Sequence, residues 1–483
     1  MDSGLSCDSS CSVHCVPTSP LSSPFPELYS NGVPSDSQHA IIFDSIQRAK
    51  ADLARIEAEM ATLKAQRAEL NRFICYHTGM ISAVRRFPNE TLADIFSRCV
   101  DPDAEFDPLR NGVWILGRVC QRWRAVALGT PELWRHFILR ETGEQDPLKP
   151  FLKIQLDRAR SAPLSIRFSA RRSIELMDVF LDVPAQWEDV HVNSSDPRMG
   201  ACFMRWPDSH FPRLRRLEIT SYHPMLEGRT SRVNLVDSLP ALEYLWLDIG
   251  FKPFPGQLLL PWSQLRTCIL RQFSASDVLR VLPLVSRETH VSIIDPWIIP
   301  AILTAADSPI RSVQIIGRGT NVSVPTERLL IAMILPNLEK LEIGWTLGPE
   351  PLEGAISLLN TSACHLKHLS LPQGPYPLTQ LISLLESPHV RDIVRLDIPH
   401  ISNSEYTPSL LAKLEGNGAF LPHLHTLAIR GDSRDIEALN VLDILRDRRP
   451  TTRKVSFTRW GWDFPERERG SRDTGLEVVV LHG

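Results

Sequence analysis

LPALEYLWLD at residues 239–248 and LPNLEKLEIG at residues 335–344 follow one pattern, which recurs along most of the chain. Three apolar residues stand at positions x, x+3 and x+5, as in Leu242, Leu245 and Leu247. Strong copies centre on Val190, Leu217, Leu245, Cys268, Val313, Leu341, Leu369, Leu396 and Leu427, and weaker copies on Val291, Val455 and Val479. Neighbouring centres lie 22 to 31 residues apart. A repeat of this period predicts stacked units, because no single unit can bury its own apolar side.

Each copy predicts a short strand that follows a helix or turn. The last two apolar residues alternate along the strand and point to the same side. Prolines such as Pro240 and Pro336 precede several copies, as expected where a helix stops before a strand begins. The period is typical of leucine-rich repeats. Residues 150–483 are therefore predicted to form an irregular solenoid of the α/β class, with a curved parallel sheet and helices outside. The alternative is an ordinary α/β domain with units of similar length.

The residue between the two inward apolar residues of each strand points the opposite way. Candidate contact residues for a bound protein are therefore Glu218, Trp246, Glu342 and Ser370. Trp246 is the most informative of them, because an outward aromatic residue on a strand is a plausible interaction hot spot. The alternative for Trp246 is that it packs under a loop.

Residues 38–76 carry a heptad pattern. The apolar positions are Ile42, Ala49, Ile56, Leu63 and Leu70 together with Ile46, Leu53, Met60 and Ile74, and Arg67 interrupts them once. No proline or glycine occurs in this range, so one continuous helix is predicted. Two interpretations stay open: a coiled coil that pairs two copies through residues 42–74, or one amphipathic helix packed on its own chain. Residues 1–37 hold 11 serines and five prolines and are predicted to be a disordered tail.

Residues 81–140 read as a small helical module. The segment FPNETLADIFSRCV at 87–100 places Leu92, Ile95 and Phe96 on one helix face. A second helix is predicted through Leu116–Val126 and ended by Gly129, and Thr130-Pro131 opens a third. Leu92 and Val126 are assigned to the core of the module. Cys120, between apolar neighbours, is predicted to be buried rather than a nucleophile.

Three short motifs of this module resemble the F-box-like domain that precedes leucine-rich repeats in a family abundant in mushroom-forming fungi. They are Phe87-Pro88, Val119-Cys120-Gln121-Arg122-Trp123 and Pro131-Glu132-Leu133-Trp134, and the segment Asp101–Val113 is longer and more acidic than a minimal F-box. The resemblance implies docking on the Skp adaptor of a cullin–RING ubiquitin ligase, while the repeats hold a protein substrate. The adaptor-binding residues that it implies are Phe87, Pro88, Glu90, Ile95, Phe96, Val119, Cys120, Trp123, Leu133 and Trp134.

Composition and motifs exclude several function classes. The net charge is −3 and charged residues make up 23% of the chain. The overall charge therefore does not favour binding to nucleic acid or to a membrane surface. No secretory signal and no nucleotide, metalloprotease or hydrolase motif is visible. We therefore expect no catalysis, no cofactor and no metal, and a location in the cytoplasm, the nucleus or both. A metal knuckle at Cys7, Cys11, His14 and Cys15 is a minor alternative, as is a nuclear signal or anion patch at Arg446–Lys454.

Three hypotheses follow from these observations. The first is a non-catalytic substrate receptor of a ubiquitin ligase. The second is a non-ligase interaction scaffold in which the F-box is structural. The third is an enzyme without a recognisable motif, which would require perturbed titratable groups in a pocket. The first hypothesis is favoured.

Overall fold

The chain forms two compact units, Met1–Phe87 and Pro88–Gly483. The computed structural model describes residues 33–110, 112–139, 148–169, 174–194, 206, 209–221, 233–248, 258–297, 303–317, 323–344, 350–371, 377–399, 413, 420–430, 454–459 and 477–482. The tail cysteines and most of the basic run at 446–454 lie outside these residues. Among the described helices, none combines the length and the apolar character that crossing a membrane requires.

The first unit contains one long helix, α1 (Asp36–Ile81). Its start is fixed by Ser35. The backbone N–H of Gln38 donates to the Ser35 hydroxyl at 3.4 Å, and the backbone N–H of Ser35 donates to the Gln38 side chain at 2.9 Å. This reciprocal cap includes Asp36 and Ser37 in the helix, although composition groups them with the preceding tail. No side chain of α1 is buried.

The second unit opens with a helical bundle: α2 (Asn89–Cys99), α3 (Gly112–Val119), α4 (Gln121–Gly129) and a 3-10 helix at Pro131–Trp134. The prediction of one helix through Leu116–Val126 is wrong, because the chain breaks at Cys120. That residue is extended, with φ −158° and ψ 171°, and its sulfur accepts the backbone N–H of Trp123 at 3.4 Å. Cys120 is exposed, contrary to the prediction of a buried thiol, and it caps α4.

The core of the bundle is apolar. Leu92, Phe96 and Val126 are buried, as is Trp134 of the 3-10 helix. The indole N–H of Trp134 donates to the Ala127 carbonyl at 2.7 Å, so the one polar atom of this large side chain is satisfied inside the core. Leu92 and Val126 thus occupy the core positions assigned to them.

The rest of the unit is a long parallel sheet. Its strands are β1 (His136–Leu139), β2 (Leu164–Ser169), β3 (Trp187–Ser194), β4 (Arg216–Ser221), β6 (Tyr244–Asp248), β8 (Thr267–Arg271), β9 (His290–Ile294), β11 (Ser312–Ile316), β13 (Lys340–Gly344), β14 (His368–Ser370), β15 (Arg395–Pro399), β16 (Thr426–Arg430), β17 (Lys454–Arg459) and β18 (Glu477–His482). The short strands β5 (Val233–Asn234) with β7 (Leu258–Leu259), and β10 (Ala306–Asp307) with β12 (Met333–Ile334), form two separate pairs. The main sheet has 14 strands in chain order, as stacked repeats require.

Helices connect several of these strands: α5 (Leu148–Ala159), α6 (Ile174–Leu181), α7 (Ala275–Val281), α8 (Ser323–Ala332), α9 (Glu350–Ser362) and α10 (Leu378–Glu386). The predicted inward residues pair with one another across strands, as Leu217 with Leu245 and Val313 with Leu341, and all four are 0% exposed. The α/β prediction is therefore confirmed. Strands β1 and β2 extend the sheet before the first predicted copy at Val190.

The bundle is joined directly to the first strand of the sheet. The backbone N–H of Phe106 donates to the Ile138 carbonyl of β1 at 2.7 Å, and the Phe106 ring stacks on Phe137 at 6.4 Å between centroids. Asp103 forms an ion pair with Arg167 of β2. Phe106 thus pairs with the edge strand of the sheet, where backbone groups would otherwise be exposed without partners.

We expect Trp134→Ala to lower the free energy of unfolding by about 3–5 kcal/mol, because it removes a buried ring and leaves a cavity. Urea unfolding monitored by circular dichroism measures the change. Val119→Ala, at a 55% exposed position, is the control and should change stability by less than about 0.5 kcal/mol. A Trp134→Ala variant as stable as the wild type would contradict this account of the core.

Candidate functional site

The ten residues assigned to adaptor binding fall into three classes of exposure. Buried in the bundle are Phe96, Leu133 and Trp134; half-buried are Phe87, Ile95 and Trp123; exposed are Pro88, Glu90, Val119 and Cys120. The buried residues support the fold, whereas the exposed ones are available to a partner. The ring of Trp123 packs against Phe96 with centroids 4.9 Å apart, so it links the core to the surface.

An apolar face lies at the end of α3. Ile115 is 45% exposed and Val119 is 55% exposed, and they stand one helical turn apart on the same side. Cys120, directly after the helix, is exposed as well, and Leu109, before the helix, is 71% exposed. We call Ile115, Val119 and Cys120 the α3 face. Sequence reasoning missed Ile115 and Leu109, although the spacing of four between Ile115 and Val119 was a usable signal.

Polar contacts hold the α3 face in place. The Arg124 guanidinium donates to the Gly117 carbonyl at 2.7 Å, and Arg118 donates to the Pro108 carbonyl at 2.9 Å. Arg122 donates to the Asn89 side chain of α2 at 3.0 Å. These arginines tie α2, α3, α4 and the preceding loop to one another, so the face is presented on a fixed backbone.

The middle residues of the strands form a second candidate surface. Strand register aligns them in one row, which we call the central row: Arg167, His191, Glu218, Trp246, Ile269, Ser292, Gln314, Glu342, Ser370 and Asp397. The four predicted contact residues all belong to it. They stand as two neighbouring pairs, Glu218 with Trp246 and Glu342 with Ser370, and three strands separate the pairs.

The second pair lies within a network of hydrogen bonds and ion pairs. Glu342 accepts from Gln314 at 3.0 Å and pairs with Lys340 at 3.0 Å. His368 lies 3.7 Å from Glu342 and 3.6 Å from Asp397. Arg395 holds Asp397 through two bonds of 3.0 and 3.1 Å, which raise the pKa of the guanidinium, and Ser370 is 2% exposed. This part of the central row uses its polar groups to hold the strands together.

Glu218 of the first pair lines a pocket of about 440 Å³ over β1 to β4, and Trp246 is not part of that lining. The lining comprises Ile138, Leu139, Arg167, Phe168, Ser169, Asp189, His191, Asn193, Arg216 and Glu218. Sequence reasoning found only Glu218 of this set. The missed residues carry a readable signal, because charged side chains alternate with buried apolar ones along IRFS, EDVHVN and RLEITS.

Charges in the pocket are arranged around Glu218 and Asp189. Arg216 donates to Glu218 at 3.1 Å and stacks on the Tyr244 ring at 3.9 Å, while His191 lies 3.6 Å from Glu218. Burial raises the pKa of Asp189, and the neighbouring Arg216 opposes that rise. The pocket therefore offers positive and negative charges beside the apolar surfaces of Ile138 and its neighbours. Such a lining suits a peptide segment that carries both charged and apolar side chains.

Thiol and metal chemistry find little support in the described parts of the chain. Burial raises the pKa of the Cys268 thiol to about 12 and that of Cys364 to about 11, so both stay protonated at neutral pH. Within the described ranges, no three His, Cys, Asp or Glu side chains come together as a metal site would need.

His136 of β1 is a half-buried neutral base. Its Nε2 accepts a hydrogen bond from the Arg135 guanidinium at 3.1 Å, which only the unprotonated nitrogen can do. Burial, then Arg135 and Arg167, lower the pKa of His136 from 6.5 to about 4. The unfolded chain therefore takes up this proton more readily, and stability present above pH 6.5 is lost as the pH falls toward 4.

We expect the loss of unfolding free energy between pH 7 and pH 5 to be about 1 kcal/mol smaller in His136→Gln than in the wild type, after allowance for partial exposure. Glutamine keeps a hydrogen-bond acceptor but does not titrate. Urea unfolding at the two pH values measures the difference, with exposed His423→Gln as the control. Equal pH dependence in wild type and His136→Gln would contradict the prediction.

Comparison with known families bears on the bundle. No curated protein matches the chain. Residues 84–140 match the family model of the F-box-like domain, a range that holds α2, α3, α4 and β1. The chain therefore carries an F-box-like domain at the start of its long parallel sheet.

Proposed function

We propose that the protein is a non-catalytic substrate receptor that docks on a Skp-family adaptor and, through it, on a cullin scaffold of a ubiquitin ligase. The observation that carries this proposal is the α3 face, an exposed apolar surface on the F-box-like domain. Ile115 and Val119 gain from leaving water only when a partner covers them, at about 1.5–3 kcal/mol for a fully buried side chain. The receptor would act in the cytoplasm, the nucleus or both.

Direct attachment of the domain to the sheet supports the role of a receptor. The Phe106–Ile138 hydrogen bond and the Asp103–Arg167 ion pair join the domain to β1 and β2. Gln155 of α5 adds bonds to the Trp134 and His136 carbonyls at 3.2 and 2.9 Å. A substrate on the sheet would thus be held at a fixed geometry to the adaptor, which is what repeated ubiquitin transfer to one region of a substrate requires.

We assign substrate binding to the first part of the central row, from Arg167 to Trp246, together with the pocket that Arg167, His191 and Glu218 line. The polar groups at Glu342 and Asp397 are already paired with neighbouring strands, and separating them would leave buried charges. In the pocket, Arg167, His191 and Glu218 are partly exposed and can exchange their present partners for those of a peptide.

Helix α1 is assigned to self-association, since its apolar positions are exposed along its whole length. The second hypothesis, a scaffold that recruits no ligase, makes the same use of the sheet and of α1. Adaptor binding distinguishes the two hypotheses.

We expect Val119→Glu to weaken binding of the full chain to a Skp-family adaptor at least tenfold, because the carboxylate would be desolvated without a partner. Calorimetric titration with purified adaptor measures the affinity, and circular dichroism verifies folding. Val394→Glu is the control, because Val394 is also exposed (39%) but lies near β15, far along the sheet. Full-strength binding by Val119→Glu would exclude the α3 face, and no binding by the wild type would favour the scaffold.

We expect Trp246→Ala to reduce the protein substrates recovered with the adaptor-bound receptor by about tenfold, as for an aromatic hot spot. Quantitative mass spectrometry of the isolated complexes provides the readout. Ser370→Ala on the same row is the control and should retain the substrates. Unchanged recovery with Trp246→Ala would remove Trp246 from the binding surface.

A further inference from the structure

Helix α1 displays an apolar seam that its own unit leaves uncovered. The large seam residues Ile46, Leu53, Ile56, Met60, Leu63, Leu70 and Ile74 are 36% to 63% exposed. The helix is 46 residues long and none of its side chains is buried. A seam of this length and spacing is stable in water when a second helix packs on it.

Two columns of residues flank the seam and decide which way the second helix runs. The residues of one column each come directly after a seam residue in the sequence: Lys50, Glu57, Lys64 and Asn71. The residues of the other column each come directly before a seam residue: Ser45, Asp52, Glu59 and Gln66. Arg55 already pairs with Asp52 at 3.7 Å and with Glu59 at 3.5 Å along the same helix. Among the described residues, Glu57 and Lys64 have no such ion pair, so their charges are available to a partner helix.

A parallel pair in register meets two electrostatic conflicts. Arg67, the one charged residue in the seam, would face Arg67 of the second copy. The two different columns face each other in this arrangement, so Asp52 would lie opposite Glu57 of the second copy. Only Glu59 with Lys64 would attract. Like charges at these positions weaken association by amounts similar to those that opposite charges add.

An antiparallel pair removes both conflicts, because each column then faces the same column of the second copy. With Met60 level with Leu63 of the second copy, Ile42 is level with Ile81, and the whole seam overlaps. Glu57 then lies opposite Lys64 of the second copy and beside Arg67 of that copy, twice by symmetry. A shift of one heptad in either direction would set Lys64 against Lys64 or Glu57 against Glu57.

We propose that two copies of this chain associate through α1 as an antiparallel coiled coil in this register. The proposal rests on the self-association assigned to α1 above. It places the two copies of Ile81, from which the chains continue toward their F-box-like domains, at opposite ends of the coil, about 58 Å apart at a rise of about 1.5 Å per residue. The two chains would therefore leave the coil at separate ends.

Glu57→Lys in the full chain distinguishes the two directions. In the antiparallel pair lysine meets Lys64 and Arg67, and the dimer dissociation constant should rise about tenfold. In the parallel pair lysine meets Asp52, and the dimer should tighten. The double variant Glu57→Lys, Lys64→Glu restores opposite charges in the antiparallel register and should recover wild-type affinity. Analytical ultracentrifugation over a range of concentrations measures the constants.

Glu69→Lys is the matched control, because it makes the same charge reversal on the side of α1 away from the seam and should leave the constant unchanged. Circular dichroism verifies that each variant stays helical. Unchanged or tighter association by Glu57→Lys overturns the antiparallel register, and a wild-type chain that stays monomeric overturns self-association. Adaptor titration of the same samples is independent, since Glu57→Lys leaves the α3 face intact. Its failure in the wild type would reject the ligase role alone.

Discussion

The hydrogen bond between the Phe106 N–H and the Ile138 carbonyl marks the contact on which the second unit depends. A parallel sheet built from repeats must end somewhere, and its first strand exposes backbone groups and an apolar side. Here the acidic loop before α3 covers that strand, with Phe106 against Phe137 and Asp103 against Arg167. The F-box-like domain is therefore both the cap of the sheet and the part that carries the α3 face.

The central row shows how one strand surface divides into structural and binding regions. Around Glu342 and Asp397, carboxylates, basic groups and an amide pair with one another across four neighbouring strands. Such a network stiffens the sheet. Its polar groups can bind a ligand only if their present hydrogen bonds and ion pairs break. Around Glu218 the side chains are more exposed and border a pocket. Exchanging their present partners for those of a ligand therefore costs less free energy there.

Much of the fold could be predicted from the sequence, because the repeat of Leu245-type positions requires stacked strands with one buried side. The candidate site was harder to predict. Glu218 and Glu342 occupy equivalent positions in their repeats, and only the neighbouring strands make one a pocket residue and the other a network residue. Strand β1 was not predicted, because its HFIL segment lies inside the range assigned to the helical module. Its pairing with β2, further along the chain, cannot be recognised from the local sequence pattern. Long-range pairing, not propensity, decides both cases.

The α3 face depends on the break at Cys120. In one continuous helix, Val119 would lie on the same face as Leu116 and Trp123. The extended backbone at Cys120 ends α3 early, and Leu116 is then 9% exposed while Val119 is 55% exposed. The sulfur that accepts the Trp123 N–H offsets part of the cost of a second helix start. The pattern around Val119 is thus typical of a buried helix face, but the change of backbone direction at Cys120 leaves Val119 on the surface. For this reason, the residues that the adaptor would meet could be named from the motif but not separated from those that only hold the bundle together.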